Sequence, residues 1–187
     1  MTVTTANCPE VHLKPRKALP FFSHHPWVYA SAVGEIPSDL AAGAEVTLRS
    51  AEGRFVARGL YNPHSNICVR LYSWIEEQAL DAPFWAKRLD EAIALRRQLF
   101  GAFTPDTACR LVYSEADQLS GLVIDRYGDW LVVQFTALAM AQRQDLWLDL
   151  LQARLQPKGI VVRTEKGIRA AEGLELSDGL VRGETPP

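Results

Sequence analysis

The chain has 187 residues, of which 48% are hydrophobic and 22% charged, with a formal net charge of −2. That length allows one domain or two small ones, and the composition excludes a disordered or fibrous chain. A slightly acidic total also argues against a protein that holds nucleic acid by its overall field, so any such contact must rest on a local cluster.

The charge is uneven. Residues 1–75 carry seven Lys/Arg against five Asp/Glu, residues 76–187 carry thirteen against seventeen, and all four histidines lie in the first part. The N-terminal part is therefore the better candidate for an anionic partner. Cys8, Cys68 and Cys109 are an odd number without metal-ligand spacing, which reads as buried free thiols in a reducing compartment. There is no run of eighteen apolar residues and no basic-then-apolar leader, so no membrane partner and a cytoplasmic location are expected.

Residues 1–10 are polar and expected to fray. VHLKPRK at 11–17 reads as an edge strand ended by Pro15, which removes a ladder donor, and Lys14, Arg16 and Lys17 form the densest basic cluster in the chain. In FFSHHPWVYASAVGEI, Pro26 pushes His25 into an extended conformation and Trp27, Val28 and Tyr29 are good strand formers. Adjacent histidines invite a zinc site, but in a strand His24 and His25 point to opposite faces, so no metal is expected.

From Gly43 the pattern is β. Residues 45–49 lead to a turn at 50–53. Residues 54–61 then alternate, with Phe55, Ala57 and Tyr61 on one face and Val56, Arg58 and Leu60 on the other. Residues 66–72 alternate again, setting Cys68, Arg70 and Tyr72 against Ile67, Val69 and Leu71. Short strands with turn signals predict a small closed barrel. On its outside, Arg58 and Arg70 would stand beside Tyr61 and Tyr72, offering cations to phosphates and rings to unpaired bases.

Residues 76–81 are a polar bridge, taken as the boundary between domains 1–75 and 76–187. Residues 82–101 read as a helix with Asp81 as cap, Pro83 in the first turn, Gly101 as stop, and an apolar stripe of Trp85, Leu89, Ala92, Ile93 and Leu99. CRLVYSEADQLSGLVIDRYGDWLVVQFT, residues 109–136, reads as three strands, with a chain reversal at residues 126–129 where Gly128 can take a positive φ. The unbroken runs 122–124 and 131–133 predict strands shielded on both faces. Residues 138–155 read as a second helix, 160–163 as a strand, 164–171 as a brief helix, and 173–182 as a hairpin around Asp178-Gly179. The expected fold class is a β-barrel followed by an α+β domain.

GLVIDRYGDWLVVQF with the preceding RLVYSEADQLS resembles the middle domain of a bacterial rRNA methyltransferase family. Its members act on large-subunit (23S) rRNA, use S-adenosylmethionine (SAM) and make 5-methylcytosine. Ser120 departs from that pattern, where the family usually has proline. His25-Pro26-Trp27-Val28 and RGLYNPHSNICVRLYS resemble the same family's N-terminal PUA domain. The resemblance implies a PUA barrel and then a strand-strand-helix-strand-strand domain, with the candidate RNA-binding residues Lys14, Arg16, Lys17, His25, Arg58, Tyr61, Arg70 and Tyr72.

No stretch carries the strand, glycine-rich turn and helix that SAM requires, so no cofactor is expected in this chain, with SAM belonging to the full-length parent. No cysteine is set as a cytosine nucleophile, Cys8-Pro9 lying in the loose N-terminus, and no catalytic residue is expected. EGLELSDGLVRGETPP resembles the segment leading into the family's Rossmann-like methyltransferase domain, so the chain is expected to be a piece of a longer enzyme, inactive alone. The alternatives are a free-standing PUA-type RNA-binding adaptor and a homodimerisation module. Arg143, Arg154 and Lys158, on and after the second helix, are not expected to touch RNA.

Overall fold

The computed structural model describes residues 8–186, so most of the segment expected to fray lies outside the described residues. The chain divides into two units, the first ending at Phe84 and the second beginning at Trp85. The polar bridge at 76–81 therefore lies inside the first unit. Its Leu80 is buried and donates its N–H to both carboxylate oxygens of Glu45, at 3.2 and 3.3 Å.

In the first unit, β-branched and aromatic residues build β1 (Glu10–Leu13), β2 (Trp27–Tyr29), β3 (Val33–Glu35), β4 (Glu45–Arg49), β5 (Phe55–Tyr61) and β6 (Ile67–Ser73), with a one-turn helix α1 (Leu19–Phe22) after β1. They form one curled sheet in the order β2-β6-β5-β4-β1-β3. β1 runs parallel to β4, and the other pairings are antiparallel. The expected closed barrel is corrected here: β2 and β3 are separate edges of three residues each, too short to zip the sheet shut. Val11, Leu13, Val28, Val46, Leu48, Val56, Val69 and Leu71 fill the concave side.

The second unit begins in α2 (Ala82–Phe100). The Asp81 carboxylate accepts the Phe84 N–H at 3.0 Å, the N-cap bond read from the sequence, and Gly101 ends the helix at φ +78°, its N–H on the Arg97 carbonyl at 2.9 Å. Trp85, Leu89, Ala92 and Ile93 are buried as expected, but Leu99 is 63% exposed, because the last turn runs past the packed layer. β7 (Ala108–Tyr113), a 3₁₀ turn at Ser114–Asp117, β8 (Leu122–Tyr127) and β9 (Trp130–Phe135) follow, then α3 (Leu138–Ala141), α4 (Gln144–Leu155), β10 (Gly159–Val162), α5 (Lys166–Glu172) and β11 (Gly179–Gly183). The sheet order is β11-β10-β9-β8-β7, with β9 and β10 parallel across the α3–α4 crossover. Trp85 meets Trp147 edge to face, ring centroids 5.7 Å apart.

Three expectations change. The second helix is two, because Arg143, at φ −102° and ψ 20°, leaves the helical path between α3 and α4. The final hairpin is absent: β11 pairs with β10 alone, and Asp178 instead receives the Thr164 N–H at 2.8 Å. β8 and β9 are not shielded on both faces, since Leu122, Ile124, Leu131 and Val133 are buried while Val123 and Val132 are half-buried. Gly128 does take the positive φ, +59°, in the two-residue loop between paired Tyr127 and Trp130.

Candidate nucleic-acid interface

The candidate surface is built on the segment that leaves β1. Pro15 stops the strand, and the chain turns through Arg16 at φ +64°, closed by the Lys17 N–H on the Lys14 carbonyl at 3.2 Å. Lys14, Arg16 and Lys17 are all exposed. The Lys14 Nζ donates to the Ser31 carbonyl at 3.0 Å. Arg16 and Lys17 engage no acid among the described residues, so both charges face solvent.

Helix α1 follows directly and ends in a cluster of rings. His24, at φ +63°, stacks on Trp74, centroids 4.4 Å apart and planes 23° from parallel. The Trp74 indole N–H is fixed on the Phe21 carbonyl at 2.7 Å. The exposed His25 sits edge-on to Trp27 at 6.1 Å, its Nδ1 accepting the Trp27 N–H at 3.2 Å. The Arg54 guanidinium lies 5.1 Å over the ring of Phe22, which is also exposed. Neither histidine belongs to a strand, so the argument from opposite strand faces does not apply to them. Among the described residues no group of three His, Cys, Asp or Glu could hold a metal ion.

Four of the eight candidate residues are not on an outer surface. Arg58, Tyr61, Arg70 and Tyr72 are all buried, Tyr72 to 1% exposure. Tyr61 lies in the core cluster, and the bridge after β6 folds back over Arg58. The Arg58 guanidinium pairs with Glu45 at 2.7 Å and donates to the Glu76 carbonyl at 2.8 Å. Burial pushes the Tyr61 hydroxyl up. The sequence reasoning missed Phe22, His24, Arg54 and Trp74. The aromatic density of 21–27 was the available signal, but nothing local connects it to Arg54 and Trp74.

All three thiols are shifted away from the reactive thiolate form. Burial raises Cys8, Cys109 and above all Cys68, the last pushed up to about 11, and the Cys68 Sγ donates to the Val28 carbonyl at 3.4 Å. Nor does the β9–α–β10 crossover fit SAM. No glycine stands between Gly128 and Gly159, and α3 is buried along its whole length, so its N-terminus presents no open amides.

Residues 11–74 match the model of a PUA-like domain. The first unit carries a PUA-like domain. Over most of its length the chain is also similar to proteins named ribosomal RNA large subunit methyltransferase I. That of Erwinia tasmaniensis is 32% identical over 163 residues, covering 87% of this chain and 41% of that protein. That of Alteromonas mediterranea is 32% identical over 177 residues, covering 95% and 44%. The chain thus spans less than half the length of these relatives. Among solved structures, a Streptococcus mutans protein described as a SAM-dependent methyltransferase superposes over 96% of this chain and 44% of its own, with a TM-score of 0.74 at 15% identity. At that identity the match speaks for the fold shared by the PUA-like unit and the unit after it. No helix among the described residues is long and apolar enough to cross a membrane.

Proposed function

We propose that this chain is the RNA-recognition region of a SAM-dependent rRNA methyltransferase. It docks large-subunit rRNA and presents a cytosine, extruded from its stack, to a methyltransferase domain outside these residues. The observation that carries this is the similarity across nearly the whole chain to ribosomal RNA large subunit methyltransferases more than twice its length. The PUA-like unit supports it with the exposed Lys14, Arg16 and Lys17 cations, followed in the chain by the exposed rings of Phe22, His24 and His25, the residue types that single-stranded RNA uses. The chain itself binds no SAM, as the crossover geometry argues, and acts by positioning.

Binding of a labelled single-stranded RNA to the 187-residue chain across a salt series tests this. With four or five phosphates neutralised, log K falls against log salt with a slope of roughly −3 to −4, at about 0.7 per phosphate. Replacing Lys14, Arg16 and Lys17 together flattens that slope by about two units. Replacing Arg143, Arg154 and Lys158 leaves it unchanged, since these are held by the Ala139 carbonyl, Asp90 and Asp129. A slope insensitive to the first set overturns the assignment of the RNA face. Calorimetry that finds micromolar SAM binding, about −8 kcal/mol, overturns the division of labour.

A further inference from the structure

The second unit contains a cleft of about 460 Å³ lined by three arginines, Arg97, Arg126 and Arg154, and by Phe103. The three cations are not equivalent. Arg154 is occupied, its Nε and Nη2 on the two carboxylate oxygens of Asp90. Arg97, on the last turn of α2, makes no ion pair among the described residues and lies 5.6 Å over the Phe103 ring. Arg126, on β8, lies 5.1 Å over the same ring.

Arg126 is the unusual one. Its side chain is 8% exposed, yet its Nε has no hydrogen-bond partner, and its nearest acid, Asp129, stands at 3.7 Å. Asp129 is itself held more closely by Lys158, at 2.8 Å. A buried donor left unsatisfied is costly, and a second guanidinium gathered on the same ring adds repulsion. An anion placed between Arg97 and Arg126 would relieve the repulsion and give the Arg126 guanidinium a closer counter-charge than Asp129. Two planar guanidiniums are the donor set that matches phosphate oxygens.

The cleft also shows which phosphate. It is framed by the C-terminal ends of α2 and α4, with Gly101 and Leu155 in its wall. Helix C-termini carry partial negative charge, which weakens a compact polyanion such as a nucleoside triphosphate and tolerates a singly charged phosphodiester. We infer that this cleft seats a backbone phosphate of single-stranded RNA, with Arg97 and Arg126 as donors and the Phe103 ring holding both in place. The inference rests on the RNA-recognition reading above and adds a second contact to it, in the other unit.

The test uses the whole 187-residue chain and a fluorescein-labelled twelve-nucleotide single-stranded RNA, with Arg97→Gln as the main variant because Arg97 is exposed. Loss of one phosphate contact lowers the salt slope by about 0.7. In the unsubstituted chain, the Arg126 Nε–H resonance shifts as RNA is added, and in Arg97→Gln that shift shrinks. If Arg97→Gln leaves the slope and the Arg126 resonance response unchanged while the Lys14/Arg16/Lys17 variant flattens the slope, the cleft is not a phosphate seat and the RNA reading stands. If Arg97→Gln lowers the slope and the Lys14/Arg16/Lys17 variant does not, the cleft stands and the first-unit face falls. A chain that binds no RNA at low salt overturns both.

Discussion

Arg96 and Asp117 form a two-pronged ion pair: Nη1 donates to one carboxylate oxygen and Nη2 to the other at 2.8 Å, with side-chain exposures of 11% and 5%. The same carboxylate accepts the Tyr113 N–H at 2.6 Å, and the Arg96 Nε donates to the Arg110 carbonyl at 3.0 Å. One pair thereby fastens α2 to β7 and to the turn that launches β8. Removing one partner leaves the other charge buried and alone, so Arg96→Met or Asp117→Leu should each cost about 3 kcal/mol. The double variant should recover much of that, because an apolar pair leaves no orphaned charge. Urea denaturation of the four proteins checks this, and single variants within about 0.5 kcal/mol of the parent would show the pair to be solvated.

Gly128 is held by more than its dihedral angle. At φ +59° any side chain is strained, and a Cβ there would run into the Pro105 carbonyl oxygen. Gly128→Val should cost about 2–3 kcal/mol, the left-handed penalty plus the displacement of the 104–107 turn. Gly53, at φ +80° with nothing near its missing Cβ, is the control. Gly53→Ala carries the dihedral penalty alone, about 1 kcal/mol. Equal shifts in the urea midpoint would mean that the Pro105 contact contributes nothing.

The readable features were local ones. Asp81 as cap, Gly101 as stop, Gly128 in the reversal and the strand runs of β4 to β9 all depend on a few neighbouring residues, and each is found within a residue or two of where the pattern put it. What failed depends on distant chain. Alternation in β5 says which residues share a face, but not that Tyr61 is on the core side or that residues 76–80 return over the other side and close in Arg58. The proposed interface was legible at Lys14, Arg16 and Lys17 only as exposed cations, their exposure following from a proline-broken strand end. It was illegible at Trp74 and Arg54, which meet His24 and Phe22 only through the curl of the sheet. Arg96, which lies off the apolar stripe of α2, gave no local sign of Asp117, 21 residues further on.

The Cys68 thiol, pushed up to about 11 by burial, links stability to alkaline pH. A raised folded-state value means that the neutral thiol is favoured in the fold. Its contribution is complete below the ordinary value of 9.0 and is lost as pH rises toward 11. Stability should therefore fall across that window, and Cys68→Val should flatten the fall. At pH 8 the folded chain should alkylate at Cys68 far more slowly than after denaturation. Equal iodoacetamide rates in the two states would show that the thiol is reached without unfolding.

Asp178 titrates in the opposite sense. The Thr164 N–H, and then the Arg169 guanidinium, hold its carboxyl below the usual 3.8. A lowered folded-state value means that the bond to Thr164 is present at every pH above the ordinary value and is lost only as pH falls through the depressed one. The Thr164 amide resonance should accordingly titrate with a midpoint below 3.8 and should not titrate in Asp178→Asn. A midpoint at or above 3.8 would mean that the carboxylate does not hold this turn.

Arg58 and Lys17 contrast a structural cation with a proposed RNA-binding one. Its guanidinium is closed in by Glu45 and the Glu76 carbonyl, and Glu45 also holds the Leu80 N–H, so Arg58 helps fasten the bridge to the curled sheet. Arg58→Gln should destabilise the chain by about 2–3 kcal/mol, somewhat less than for a fully buried pair because Glu45 is partly exposed. Its effect on the RNA salt slope should be nil under conditions where the variant is folded, because Glu45 and the Glu76 carbonyl already occupy that guanidinium. Lys17→Gln should do the reverse, with stability unchanged within about 0.5 kcal/mol, as for an exposed side chain without a partner, and a slope lower by about 0.7. Measuring both variants by urea denaturation and by the salt series crosses the two properties. A folded Arg58→Gln that lowers the slope as much as Lys17→Gln would return Arg58 to the interface and contradict the burial that excludes it.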